Sequence, residues 1–380
     1  MKKVLMLSSV ASMIEQFNMR NLELLHSIGF SVDVACNFDK ENTISLERIK
    51  RFKRDLDALS IKYYQVDFAR NAFNLWQNKK SYKQLEKIFK QNVYEFVHCH
   101  SPIGGLWGRI LACRYDTKAI YTAHGFHFYK GAPLINWLIY YPIERVMASC
   151  TDVLITINKE DYNRAKEFKA KKVEYVPGVG VAVEKFANHT VDKEAIRKAL
   201  SVPADAFVLL SVGELNKNKN HQVIIRALAK LNNNNAHYII AGRGALENEI
   251  KALTTSLKVE KQVHLLGYRT DIADLYKMSD VFCFPSKREG LSVALMEAMA
   301  SGLPCIVSDI RGNTDLAENG KGAYMVKPTD IDGFSEKIKK LLDDADLRNE
   351  FGLINTNTVK RFESRHVMMY MKKIYEDRII

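Results

Sequence analysis

Two carboxylates with seven residues between them stand where an apolar stretch gives way to a helical one. Val281-Phe282-Cys283-Phe284 reads as a strand and runs into Pro285-Ser286. A helix starts near Ser292 and stops at Gly302, with Pro304 beyond it. Glu289 falls just before this helix, and Glu297 about a turn and a half inside it. The first N–H groups of a helix lack internal partners and carry partial positive charge, so such a turn can hold a phosphate. An acid on either side can accept hydrogen bonds from hydroxyls. Together these groups suit a nucleotide sugar, although an ordinary βα unit with two solvated acids has the same spacing.

Other residues invite the same question. His124 follows the apolar strand Ile120–Thr122 and precedes Gly125, which points it toward a cleft or into a backbone hydrogen bond. His98 and His100 share one face of a strand, but no third ligand stands near them, so no metal is expected. Gly242-Arg243-Gly244 is a weak phosphate signal, and equally a place where two backbones pass closely. Ser8-Ser9-Val10 forms a small polar turn that an acceptor can approach, and His100-Ser101-Pro102-Ile103-Gly104-Gly105 reads as a Gly-rich, flexible loop.

The elements that must position these residues alternate along the chain. Strands are expected at Val4–Leu7, Val32–Ala35, Lys62–Gln65, Phe96–Cys99, Ile120–Thr122 and Val153–Ile157. Helices are expected at Phe17–Ile28, Leu46–Leu59 and Ser81–Gln91. A Pro/Gly hinge at Val176–Val181 separates this series from a second one, with strands at Phe207–Val212, Tyr238–Ala241, Val263–Leu266, Val281–Phe284 and Cys305–Ser308. Such alternation argues for parallel sheets covered on both faces, with ligands beyond the carboxyl ends of the strands. The division is residues 1–180 and 181–360, with a last helix, Arg361–Ile379, available to pack back on the first domain.

The 380 residues suit two domains, and 47% hydrophobic with 26% charged residues is a globular composition. The net charge of +12 is uneven: residues 1–182 hold 27 Lys and Arg against 18 Asp and Glu, whereas the rest is nearly balanced. The first half is thus the part suited to an anionic partner. Six scattered cysteines without a C-x-x-C pair suggest reduced cytoplasmic thiols. The apolar start is short for a signal peptide, and no run is long enough to span a bilayer. Two segments mix aromatic, aliphatic and basic or proline residues, Phe73–Gln91 and Ala132–Met147. Either can lie in lipid headgroups or cover a core. No nucleic-acid-binding motif is present.

The stretch Pro285-Ser286…Glu289…Glu297-Ala298-Met299-Ala300-Ser301-Gly302-Leu303-Pro304 resembles the E-x7-E signature of family 4 retaining glycosyltransferases. Thr122-Ala123-His124-Gly125 is similar to that family's histidine loop, and the order of motifs across residues 181–360 looks like its donor domain. The resemblance covers most of the chain. It implies the GT-B fold, two Rossmann-like domains facing a cleft, with the acceptor on the first and the nucleotide sugar on the second. It also implies roles. Lys219 meets the diphosphate. Glu289 and His124 lie by the transferred sugar. Gly290, Leu291 and Ser292 offer backbone and helix-start donors, with Gly213 close by. Glu297 takes the ribose hydroxyls, and Tyr268 and Arg269 face the base. Ser8, Ser9, Ser101 and Gly104 fall on the acceptor side. One position departs from the pattern: where the family has an arginine, this chain has Glu214, so Lys217 or Arg243 must supply the missing charge unless Glu214 points away.

The expected reaction is retaining transfer of a sugar from a nucleotide diphosphate, with uridine as the family-level base, to a hydroxyl of a lipid-linked saccharide at the inner membrane face in surface polysaccharide synthesis. No D-x-D motif serves the site, so neither metal nor cofactor is expected. A nucleotide-sugar epimerase on the same fold and a non-catalytic, membrane-associated subunit are the alternatives.

Overall fold

The period-two alternation of the first strand sets the layers of the first half. In β1 (Lys3–Leu7), Val4 and Met6 enter one core while Leu5 and Leu7 enter another on the opposite face of the sheet. A computed structural model describes residues 2–40, 42, 44–69 and 74–377. The chain forms two compact units, Met1–Val179 with Arg365–Ile380, and Gly180–Ser364.

The first unit continues with β2 (Ser31–Cys36), β3 (Lys62–Gln65), β4 (Phe96–His100), β5 (Lys118–Ala123), β6 (Val153–Thr156) and β7 (Lys172–Tyr175). They form one sheet in the order β3-β2-β1-β4-β5-β6-β7. The second unit holds β8 (Phe207–Val212), β9 (Ala236–Ala241), β10 (Val263–Gly267), β11 (Val281–Phe284), β12 (Cys305–Ser308), β13 (Glu318–Asn319) and β14 (Gly322–Val326), in the order β10-β9-β8-β11-β12-β14-β13. Every pairing between these strands is parallel. Parallel neighbours need crossover connections, and helices supply most of them. The last helix, Ser364–Asp377, belongs to the first unit's core through Val367, Met371, Ile374 and Tyr375. It starts later than the sequence suggests, because Lys360–Phe362 forms a separate 3-10 turn.

Two expectations need correction. The single helix Phe17–Ile28 is two helices, Ala11–Phe17 and Met19–Ser27. Asn18 breaks them with ψ near 1° and spends its side-chain amide on the Met13 carbonyl. The loop containing Gly104 and Gly105 is instead the start of a helix, Pro102–Arg114. Its glycines allow close packing rather than flexibility: a Cβ on Gly105 would lie 2.5 Å from the Tyr121 ring, and one on Gly108 would lie 2.3 Å from Cys99 Sγ.

The two basic-aromatic segments also part company. Phe73 lies outside the described residues. In the helix Leu75–Gln91, Leu85, Ile88 and Phe89 are buried in the core and the lysines face outward, as in an ordinary amphipathic surface helix. The helix Leu134–Met147 does the reverse. Leu134, Ile135, Leu138 and Val146 are each more than half exposed, and Glu144 is its buried residue.

Gly108→Ala tests the packing reading. Alanine adds about 1 kcal/mol of helix propensity, but overpacking against Cys99 and Leu7 costs about 1–3 kcal/mol. A net loss is expected in urea unfolding; an unchanged or raised midpoint would show that the helix sits free of the sheet.

Candidate active site

The strand order of the second sheet reverses between β8 and β11, since β9 lies on one side of them and β12 on the other. Loops leaving such a pair of strands diverge and open a crevice at their carboxyl ends. Lys219 comes from the first loop and Glu289 from the second. Lys219 Nζ donates to Glu289 Oε1 at 2.7 Å, with both side chains mostly buried. The ammonium also lies 4.7 Å from the centroid of the Phe284 ring. Asparagines hold the two loops in register. Asn216 Oδ1 accepts from the N–H groups of Asn218 and Lys219. Asn218 accepts from the Lys287 N–H at 2.8 Å through its carbonyl and donates to the Arg288 carbonyl at 3.0 Å through its amide. Asn220 Nδ2 donates to the Pro285 carbonyl at 3.0 Å.

Beyond Glu289 the chain turns into the helix Val293–Ala300. Ser292 caps it, its Oγ accepting from the Leu295 N–H at 3.3 Å. Gly290 is pressed against Gly312, which has φ +82°; a Cβ there would come within 2.3 Å of the Gly290 carbonyl oxygen. Leu291 is buried. Glu297, a turn further on, faces the Tyr276 hydroxyl, which lies 3.2 Å from Oε2 and 3.0 Å from the Ala294 carbonyl. Burial pushes the Glu297 carboxyl up to about 7, against the opposing effects of Tyr276 and Lys185. Solvated acids do not behave this way, so the plain βα reading fails at Glu297.

The remaining positions of this unit fall on neighbouring loops. A Cβ on Gly213 would lie 3.2 Å from the Lys219 stem. Gly242 and Gly244 serve close backbone passage, since a Cβ on either would meet the Gly213 or Leu215 carbonyl oxygen at 1.8 or 2.4 Å. Arg243 is exposed, with Nε beside Gly267. Tyr268 is half exposed, and Arg269 is forked onto Asp271, its Nε donating to Oδ1 at 2.8 Å. Glu214 carries its carboxylate on an exposed side chain, while its carbonyl pairs with His221 Nε2 at 3.3 Å. Lys217 is exposed as well.

The first sheet has its own reversal, between β1 and β4. The Ser9 N–H donates to Ser101 Oγ at 2.9 Å across it. Ser101 has φ +65°, and Gly104 lets the helix behind it approach, since a Cβ there would lie 3.0 Å from Ser101 Oγ and 3.1 Å from Ser9 N. Ser8 Oγ is buried without a hydrogen-bond partner. His124 leaves β5 beside these residues and joins a chain of imidazoles: its Nε2 lies 3.0 Å from His100 Nδ1. His100 Nε2 faces Met6 Sδ, and His98 pairs with Thr122 Oγ1 and Tyr375 OH. The nitrogens of His98 and His100 are therefore engaged within the protein. Burial lowers His124 to about 4, His98 to about 3, and His100 well below the usual imidazole value. At neutral pH His124 is an uncharged hydrogen-bonding group. A pocket of about 160 Å³ opens next to it, lined by Ser101, Tyr121, Tyr140 and Glu144 among others.

The structure thus gathers Lys219, Glu289, Gly290, Leu291, Ser292, Glu297 and Gly213 in one unit, and Ser8, Ser9, Ser101, Gly104 and His124 in the other. Sequence reading missed Asn216, Asn218 and Tyr276. The run Asn216–Asn220 does carry the composition of Asx turns, which was the available signal. Tyr276 carried none.

Two parallel sheets with flanking helices define the GT-B architecture of sugar-transferring enzymes. Residues 3–158 match the family "Glycosyl transferase 4-like", and residues 192–357 match "Glycosyl transferases group 1". The chain is 32% identical to the "Putative glycosyltransferase EpsD" of Bacillus subtilis (strain 168), covering 98% of this chain and 96% of the relative. It is 30% identical, over the same shares, to the UDP-Gal:alpha-D-GlcNAc-diphosphoundecaprenol alpha-1,3-galactosyltransferase of Escherichia coli. The crystal structure of Anabaena Alr3699/HepE in complex with UDP and glucose superposes with a TM-score of 0.80 at 16% identity, covering 99% of this chain and 100% of that one. The chain belongs to the family 4 glycosyltransferases of the GT-B fold.

The raised Glu297 carboxyl makes stability depend on pH. The folded state holds its proton up to about pH 7 while an unfolded glutamate loses it near 4.5. The contribution of the protonated acid is whole below pH 4.5 and lost as pH rises through 7. Glu297→Gln should therefore raise Tm relative to wild type at pH 8 and leave it unchanged at pH 4.5; parallel Tm curves from pH 4.5 to 8 would refute the buried acid.

Proposed function

We propose that this glycosyltransferase moves a sugar from a uridine diphosphate sugar to a hydroxyl of a lipid-linked saccharide, with retention at the anomeric carbon. The observation that carries the reading is the Lys219–Glu289 pair at the strand reversal, beside a capped helix start. An incoming diphosphate competes for Lys219. Its negative charge grows as the sugar leaves, and the ammonium and the N–H groups near Ser292 stabilise that growth electrostatically. Glu289, released from the lysine, accepts hydrogen bonds from the transferred sugar. Glu297 accepts them from the ribose hydroxyls, and Tyr268 and Arg269 border the base. Gly213 lets the lysine stem lie close to the backbone. The exposed guanidinium of Arg243 is the cation offered in place of the family arginine at Glu214. No step calls for a metal ion.

The first unit takes the acceptor in this reading. Ser8, Ser9, Ser101 and Gly104 frame its approach, and neutral His124 orients the hydroxyl or the sugar without adding charge. The relative from Escherichia coli is named for a UDP-sugar donor and a diphosphoundecaprenol acceptor, which supports both substrate classes here and, with them, a role in surface polysaccharide assembly. Membrane contact rests on the helix Leu134–Met147. Its exposed leucines, Ile135 and Val146 form an apolar face on a unit whose half of the chain carries the positive charge excess. No described helix is long and apolar enough to cross a membrane; the contact in this reading is peripheral, at the inner face.

Lys219→Ala and Glu289→Ala should each lower turnover of a UDP-sugar at least tenfold while leaving the far-UV spectrum and the unfolding transition cooperative. Wild-type turnover in either variant sinks the site. Leu134→Glu combined with Leu138→Glu should cut sedimentation with phosphatidylglycerol vesicles at least tenfold and spare transfer to a water-soluble acceptor; unchanged sedimentation removes this helix from the membrane.

A further inference from the structure

The helix Leu134–Met147 packs Trp137, Tyr140 and Tyr141 on the core and turns leucines to solvent, and its one fully buried residue is a glutamate. Burying a carboxylate is costly unless it is paired and fully hydrogen-bonded. Glu144 is only partly provided for. Oε2 lies 2.8 Å from Arg109 Nη1, and Oε1 accepts from the Tyr121 hydroxyl at 3.3 Å. Arg109 is itself wholly buried, its Nε donating to the Gly105 carbonyl at 2.8 Å and its guanidinium 4.0 Å from the Tyr121 ring centroid. Beyond that ion pair, Glu144 Oε2 and both Arg109 Nη atoms find no further hydrogen-bond partner. Buried polar groups left so are rare in folded proteins and call for a reason. A purely structural ion pair is a poor one, because apolar residues of the same volume often hold a fold as well.

The pocket supplies the reason. Glu144 and Tyr121 line it together with Ser101, His124 and Tyr140. Its walls are aromatic: the His127 and Tyr140 rings stack at 4.5 Å and Phe126 and Phe128 at 4.7 Å, and all four residues border it. At about 160 Å³ it falls below the roughly 300 Å³ where pockets for drug-sized ligands begin, and suits one ring. Flat aromatic faces beside a carboxylate with spare acceptor capacity match a pyranose, which has an apolar face and a rim of hydroxyl donors.

We propose that Glu144, braced by Arg109 and Tyr121, is the specificity-determining carboxylate of a one-sugar subsite, accepting a hydrogen bond from a hydroxyl of the acceptor's terminal ring. The inference rests on the glycosyl-transfer reading above and deepens it. A site that hydrogen-bonds a hydroxyl discriminates strongly against the ring that lacks it, because the buried acceptor is left unpaired. Glu144 would thus choose among acceptor sugars.

The test separates the two readings. Methyl α-glycosides of glucose, galactose, their N-acetylamino forms, 6-deoxyhexoses and a hexuronic acid are titrated against the full chain by saturation-transfer NMR, and UDP is titrated in parallel by thermal shift. At least one glycoside should bind wild type, with Glu144→Gln weakening it at least tenfold and leaving the UDP shift unmoved. Its deoxy analogue at the contacted hydroxyl should lose little more in Glu144→Gln than in wild type already made weak by deletion of that hydroxyl. Wild-type affinity in Glu144→Gln, or no glycoside binding while UDP binds, overturns the subsite and leaves the donor reading standing; absence of any UDP shift strikes the donor reading instead. Should Glu144→Gln fail to fold, Tyr140→Ala takes its place: a tenfold loss of glycoside binding with an unmoved UDP shift supports the subsite, and wild-type binding overturns it.

Discussion

The architecture turns on the reversal of strand order within each sheet. Parallel strands connected by crossovers build outward in two directions from a central pair, β1 and β4 in one sheet and β8 and β11 in the other. At that pair the loops diverge, so side chains from distant parts of the sequence reach one spot without crossing a helix. Lys219 and Glu289 are separated by 70 residues and meet at 2.7 Å. Ser9 and Ser101 are separated by 92 and meet at 2.9 Å. The same geometric device, used twice, gives two sites of opposite character.

The difference lies in how charge is treated. In the second unit a cation and an anion neutralise each other at the crevice. A little further in, burial keeps Glu297 poised to lose its proton near neutrality. In the first unit the histidines beside the strand reversal are kept uncharged. Three imidazoles, two of them fully buried, are uncharged and bound to one another or to Thr122, Tyr375 and Met6. A phosphate-bearing donor suits the first treatment and a neutral saccharide the second.

Much of this was legible in the residues. Largely apolar runs such as Phe207–Val212 and Val281–Phe284 mark buried parallel strands at their true boundaries. The E-x7-E stretch places its helix within a residue, because Ser292 and Gly302 are strong end signals. Glycines misled in both directions. Gly104 and Gly105 suggest a loop, yet they lie in a helix, since close packing against Tyr121 and Ser9 demands the absence of a side chain as firmly as a turn does. Hydrophobicity left Leu134–Met147 open, because period alone cannot say which face looks inward. Long-range polar partners, Tyr276 for Glu297 and Arg109 for Glu144, leave no trace in local spacing; only the fold brings them together.

The last helix has a consequence for how the molecule is made. Val367, Met371, Ile374 and Tyr375 complete the core of a unit whose first strand begins at Lys3, and Tyr375 closes over His98. Chains emerge from the ribosome N-terminus first, and domains usually fold in that order. Here the order is inverted at the final step. The second unit has all of its residues in hand while the first still lacks a wall, so the first unit to be synthesised is the last to be sealed. Until the final helix arrives, Phe96 and the buried imidazoles beside it stay open to water. Synthesis of the last helix, rather than of the strands it covers, is what completes the core of the first unit.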